Sequence, residues 1–251
     1  MPHAYSAQFY DYISSGSRAS AKEFIPLLRS ALIIDNLVDI GAGQGAWAAE
    51  WLAAEVRTVV AVDGHYVSED TLLIPKQCFI AHDLSQPIDL ERRFDLVQSL
   101  EVAEHIAADR ADCFIDSLAA HGDIVLFSAA VPNQGGEHHV NEQPIEYWRR
   151  KFAARGYAAF DWLRPQLRDN RRVEPWYKFN AVLYANPAGQ SRLSSDVLAA
   201  RVMDYAPLAN CGSFAWRMRQ GLVRLMPRGL VDFVAMTNAA HKARAFRHRA
   251  A

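Results

Sequence analysis

Glu101-Val-Ala-Glu104-His105 gathers two carboxylates and an imidazole within five residues. If a helical turn begins at Glu101, positions i, i+3 and i+4 share one face and the three side chains converge. Two more imidazoles, His138 and His139, lie in the polar, glycine-containing segment 132–142. A neutral imidazole takes up a proton near physiological pH. His105, His138 and His139 are therefore candidate general bases for a hydroxyl nucleophile. Polar loops at the rim of a sheet are usual places for substrate contact, which is the role expected of 132–142.

A second constellation lies upstream. Val38-Asp39-Ile40-Gly41-Ala42-Gly43-Gln44-Gly45-Ala46 places three glycines after a short apolar run. Glycines there let the chain turn tightly and let a ligand approach the main chain. Read as Gly41-x-Gly43-x-x-Ala46, the loop fits a dinucleotide fingerprint. Read as Asp39-x-Gly41-x-Gly43-x-Gly45, it fits an adenosylmethionine loop. Asp39 favours the second, because its carboxylate repels a pyrophosphate and attracts the ammonium of a methionine moiety. Asp63, twenty-two positions after Gly41, can accept bonds from both ribose hydroxyls. Asp83 is placed for an adenine amino group and Leu84 for the ring face. Arg18, in Gly16-Ser-Arg18-Ala-Ser20, is placed with Tyr10 to fold over the cofactor and meet its methionine carboxylate.

The elements that must hold these residues alternate. Apolar or β-branched runs at 36–40, 57–62, 77–81, 94–100 and 123–127 read as strands, with helical stretches at 46–55 and 107–118 between them. Such alternation argues for a parallel sheet with helices on both faces. The acids then fall at the carboxyl edge, where such sheets bind ligands. Ser20 reads as the cap of a helix, with Glu23 completing a capping box. Two further β-like runs, 158–163 and 176–184, would close the sheet.

Bulk properties narrow the classes. The length of 251 residues suits one sizeable core, and the net charge of −1 gives no global sign of nucleic acid binding. No apolar run approaches a membrane-spanning length. The N-terminus lacks the pattern of a signal peptide, and Cys78, Cys113 and Cys211 form no CxxC pair. A cytoplasmic location is the expectation.

Leu37-Val-Asp-Ile-Gly-Ala-Gly-Gln-Gly45, Val60-Ala-Val-Asp63 and Phe94-Asp-Leu-Val-Gln-Ser-Leu-Glu-Val-Ala-Glu-His-Ile106 resemble the first, second-strand and fourth-strand motifs of class I S-adenosylmethionine-dependent methyltransferases. The resemblance spans about residues 8–185. It implies an α/β, Rossmann-like, seven-stranded, mostly parallel sheet with the last strand antiparallel, and adenosylmethionine as cofactor. The stretch from Ser128 to Gln143 resembles an uncharacterised bacterial subgroup of that family. Glu101-x-x-Glu104-His105 resembles the ExxEH arrangement of ubiquinone-pathway O-methyltransferases and small-RNA 2′-O-methyltransferases, where it holds a divalent metal. By that resemblance Glu101, Glu104 and His105 are metal ligands, joined by His138 or His139. Carboxylate and imidazole donors suit magnesium, manganese or zinc.

Residues 1–187 are expected to form the methyltransferase domain with an N-terminal helical cap, and 188–251 a helical basic extension. From Arg217 onward eight basic residues face one acid, Asp232. Leu222, Leu225, Met226, Leu230, Phe233 and Val234 recur at helical spacing. The extension is expected to pack on the domain, to form a homodimer, or to make peripheral membrane contact. The expected activity is O-methylation of a small-molecule or saccharide acceptor. The rivals are an NAD-dependent oxidoreductase and a non-catalytic adenosylmethionine-binding protein.

Overall fold

The computed structural model describes residues 7–226 except 205 and 209, with side chains from residue 14 onward. The Tyr10 side chain, and the expectations resting on Arg228 and all that follows it, lie outside the described residues. β1 (Asn36–Ile40), β2 (Thr58–Asp63), β3 (Phe79–Ala81), β4 (Leu96–Leu100), β5 (Ile124–Ser128), β6 (Ala158–Phe160) and β7 (Val182–Ala185) form one seven-stranded sheet. The order is β3-β2-β1-β4-β5-β7-β6. β1 to β5 are mutually parallel, and β7 runs antiparallel to both β5 and β6.

Alternation along the strands sends successive side chains to opposite faces. Leu37, Leu96 and Leu126 join a core with α1 (Ala7–Ala31) and α2 (Ala46–Ala53). Val38, Val97 and Val125 join a second core with α3 (Ala111–His121) and α4 (Ile145–Ala153). Both faces are thus covered, as a parallel sheet requires. The chain winds outward from β1 to β3 and then returns to β4 beside β1. That reversal opens a crevice at the carboxyl ends of β1 and β4, where the strands leave room for a ligand.

Three expectations change. Ser20 caps nothing: α1 runs straight through it. Its buried hydroxyl donates to the Gly16 carbonyl at 2.8 Å and accepts from the Glu174 amide at 3.0 Å, which satisfies it inside the helix. Glu23 holds Asn170 instead of closing a capping box. The run 176–184 is split into α6 (Pro175–Asn180) and β7, after α5 (Leu163–Leu167). Pro175 at the first helical position, with φ already set and no amide to satisfy, starts the helix despite the β-favouring aromatics.

Packing also continues past residue 187. After α7 (Pro187–Gln190), Leu193 and, within α8 (Ser195–Ala199), Val197 enter the α1 core, and the Val202 amide donates to the Ala159 carbonyl at 2.9 Å. Trp216 of α9 (Phe214–Arg224) is buried, its ring centroid 5.7 Å from that of Phe179. Up to residue 226 the C-terminal segment is therefore part of the same body.

Candidate active site

A cleft of about 1590 Å³ opens at the carboxyl edge of the sheet. The glycine loop forms one side of it. Gly41, at φ +87°, turns the chain out of β1, and a Cβ there would lie 2.2 Å from a Val102 methyl. Gly43, at φ +56°, has nothing within 4 Å of that position, so its main chain faces open space. Gly45 caps α2 in a left-handed conformation and faces Ile74, away from the cleft.

The three strand-end acids converge on the same side. Asp39 is buried, with Oδ2 lacking any hydrogen-bond partner, and burial pushes its carboxyl up to about 7. Gln98, fully buried beside it, is tied through Oε1 to Trp51 Nε1 at 3.0 Å. Asp63 is also buried, which raises its pKa, and it is fully engaged. Its Oδ2 accepts from the Gly43 amide at 2.5 Å; its Oδ1 accepts from the Gly64 amide at 2.6 Å and from the Tyr66 hydroxyl. Exposed Asp83 accepts from the Ser85 hydroxyl at 2.7 Å, a bond that lowers its pKa, while Leu84 is buried next to it. All but Gly45 of these loop and acid residues line the cleft. Arg18 does not: its Nε sits 2.5 Å from Glu50 Oε1, on a carboxylate that is itself buried.

The Glu-His groups line the same cleft, differently arranged from the helical face expected. Glu101 adopts a left-handed backbone, φ 57°, at the end of β4, and only Ala103–His105 forms a turn, of 3-10 type. The kink sends Glu101 to Gln134, whose Nε2 donates to its Oε2 at 2.6 Å. Asn180 in turn donates to Gln134 Oε1 at 2.7 Å, and Arg219 to the Gln134 carbonyl at 2.7 Å. Burial raises Glu101 to about 7. Glu104 is raised well above the usual carboxylate range, first by burial and then by the neighbouring Glu101 charge.

Glu104, His105 and His139 form the actual cluster, with ligand atoms all within 4.8 Å of one another. Each imidazole is held through Nδ1. His139 Nδ1 lies 2.8 Å from Glu142 Oε1, and His105 Nδ1 lies 3.3 Å from the His138 carbonyl. The Nε2 of His139 faces Glu104 at 3.9 Å. Solvent reaches the His105 ring, yet crowding by protein atoms and the adjacent His139 push it down to about 4, so it is neutral near pH 7. His138 is exposed and contributes its carbonyl. Sequence reading missed Gln134, Asn180, Tyr66 and the orienting role of Glu142. Only Glu142 left a local signal, three residues after His139.

No family model and no curated protein matches the sequence. Solved structures do. Streptomyces venezuelae DesVI matches at 15% identity and a TM-score of 0.53, over 74% of this chain and 99% of that one. The fold is that of the class I methyltransferases. The methyltransferase domain of bacterial CtHen1 shares it at 16% identity and a TM-score of 0.51, over 68% and 98% of the two chains. So does CalS10, an amino pentose methyltransferase from Micromonospora echinaspora solved with S-adenosylmethionine, at 15% identity and a TM-score of 0.50, over 74% and 100%. In this methyltransferase fold the glycine loop and the Glu-His cluster line one cleft, with Val102 of the Glu-His segment against Gly41.

Proposed function

We propose that the protein is an S-adenosylmethionine-dependent methyltransferase acting on a hydroxyl of a small molecule or saccharide. The observation that carries the reading is the single cleft, lined both by an open glycine loop with three strand-end acids and by oriented imidazoles. The loop suits the cofactor: Gly43 leaves open space, and the unpartnered Asp39 oxygen offers a site for an ammonium. The cleft exceeds the ~300–1,000 Å³ usual for one ligand, which leaves room for an acceptor. Bound adenosylmethionine supplies an electrophilic methyl group. Asp63 and Asp83 would hold its ribose and adenine. His139, steadied by Glu142, or neutral His105, would take the acceptor's hydroxyl proton at Nε2. A saccharide acceptor accords with the amino pentose activity named for CalS10.

A second reading shares the same atoms. Glu104, His105 and His139 would suit a magnesium, manganese or zinc ion, because each imidazole is already fixed through its other nitrogen, as ligating histidines are. Such an ion lowers the pKa of a bound hydroxyl. Glu101, tied to Gln134, falls outside that cluster. Calorimetry with adenosylmethionine and with NAD tests the main reading: binding of the first and not the second is expected, and the reverse overturns it. A screen of hydroxylated metabolites and saccharides for a one-methyl mass gain then identifies the acceptor. Turnover unchanged in chelator would remove the metal.

A further inference from the structure

α9 has a buried inner face and an apolar outer one. Its inner face buries Trp216 and Gln220, and Ser213, Trp216 and Arg219 border the acceptor half of the cleft. Its outer face carries Phe214, Met218 and Leu222, and Leu225 follows at the cap, at spacings that place all four on one stripe. These side chains are 73%, 53%, 61% and 81% exposed. Lone exposed apolar residues are ordinary, but four in one stripe mark an interaction surface.

Charge says what covers it. Arg217 and Arg224 run along one edge of the stripe, and α9 contains no acid. Neither arginine has an ion-pair partner among the described residues. The 25 residues that follow Met226 add Arg228, Lys242, Arg244, Arg247 and Arg249 against the single acid Asp232, so the chain's own tail offers these arginines little neutralisation. A second copy docked face to face would bring like charges together. A surface of anionic headgroups over acyl chains meets both needs: it takes the apolar stripe and neutralises the arginines. Among the described residues no helix is long and apolar enough to cross a membrane, which leaves an interfacial position for α9.

We propose that the outer face of α9 docks the protein on an anionic lipid surface. The full chain is sedimented, without adenosylmethionine, with vesicles of phosphatidylcholine alone or containing about 30 mol% phosphatidylglycerol. Binding without cofactor makes this proposal stand or fall apart from the methyl-transfer reading. Binding to the anionic vesicles, released by about 0.5 M salt, is expected. Met218→Glu with Leu222→Glu should weaken it at least ~10-fold while leaving adenosylmethionine binding unchanged. Arg217→Gln and Arg224→Gln, which spare the apolar stripe, should weaken it by about fivefold each. Equal binding to neutral vesicles, no binding, or full binding by the double glutamate variant overturns the proposal. So does a sharp fall in that variant's melting temperature, which would mean the chain covers the stripe itself. A wild-type dimer that the variant splits, without vesicle binding, assigns the face to a second copy and also overturns it.

Discussion

The two sides of the site, the glycine loop and the Glu-His groups, are built in different ways. At the glycine loop each functional acid sits within two residues of the end of a strand, and adjacent strands fix their spacing through the ladder register. On the Glu-His side the groups come from a 3-10 turn, a loop and a helix distant in sequence, joined by side-chain bonds through Gln134, Asn180 and Arg219. The first side is a property of the sheet; the second is a property of the tertiary packing. Changes at the first should strike affinity for the cofactor, and changes at the second should strike turnover.

The sharpest way to break that division is His139→Ala. Loss of a positioned base predicts a fall in kcat of ~10²–10⁴-fold, with the calorimetric Kd for adenosylmethionine within about twofold of wild type. Glu142→Gln should lower kcat less, by ~10-fold, because it removes the orienting charge and leaves the imidazole. A large change in Kd in either variant would show that the two sides are not independent. Next in size is Asp63→Ala. Because the Tyr66 hydroxyl already fills one Asp63 oxygen, the net loss is that of about one charge-assisted bond, ~1.5–3 kcal/mol, which should weaken binding ~10–100-fold in the same calorimetry.

The pH dependence is subtler. Asp39 has its pKa raised to about 7 by burial, so below that it is protonated and cannot attract an ammonium. Affinity should therefore fall up to ~10-fold per pH unit as pH drops below 7, and Asp39→Asn should flatten that slope while lowering the affinity at pH 8. The linked stability effect has the opposite sense. A raised folded-state pKa means the folded protein holds the proton more tightly than the unfolded chain. Stability should then decline as pH rises from about 4 through about 7, visible as a falling melting temperature that Asp39→Asn reduces. The smallest effect belongs to Arg18→Ala. With its guanidinium on Glu50, the change should leave the cofactor Kd within about twofold and lower stability by about 1 kcal/mol, read by urea melts.

The same division explains what the sequence made legible. β1, the glycine turn and the acids at the ends of β1, β2 and β3 follow from local patterns, an apolar run, a turn and a carboxylate, so their places could be read directly. Glu101 could not. Its left-handed backbone breaks the shared helical face that Glu101-x-x-Glu104-His105 suggests, and nothing local forces φ positive at a glutamate. The Gln134 and Asn180 that receive it lie far along the chain. Asn180 also fell in a run whose Trp, Tyr and Phe favour a strand, although Pro175 starts a helix there. Arg18 stands near the cleft in sequence logic, but the buried Glu50 claims it, and that pairing depends on how α1 crosses α2.

Tyr66 gives the nucleoside side of the cleft one more property. Its phenol already occupies the Asp63 oxygen that a ribose hydroxyl would use. Arrival and departure of a nucleoside there are then swaps of one hydroxyl for another, and the carboxylate is never left bare. A contact of that kind contributes little net enthalpy but eases the exit path, because the tyrosine can re-enter as the ribose leaves. It would make the spent nucleoside a fast leaver, with Asp63 changing partners rather than losing one.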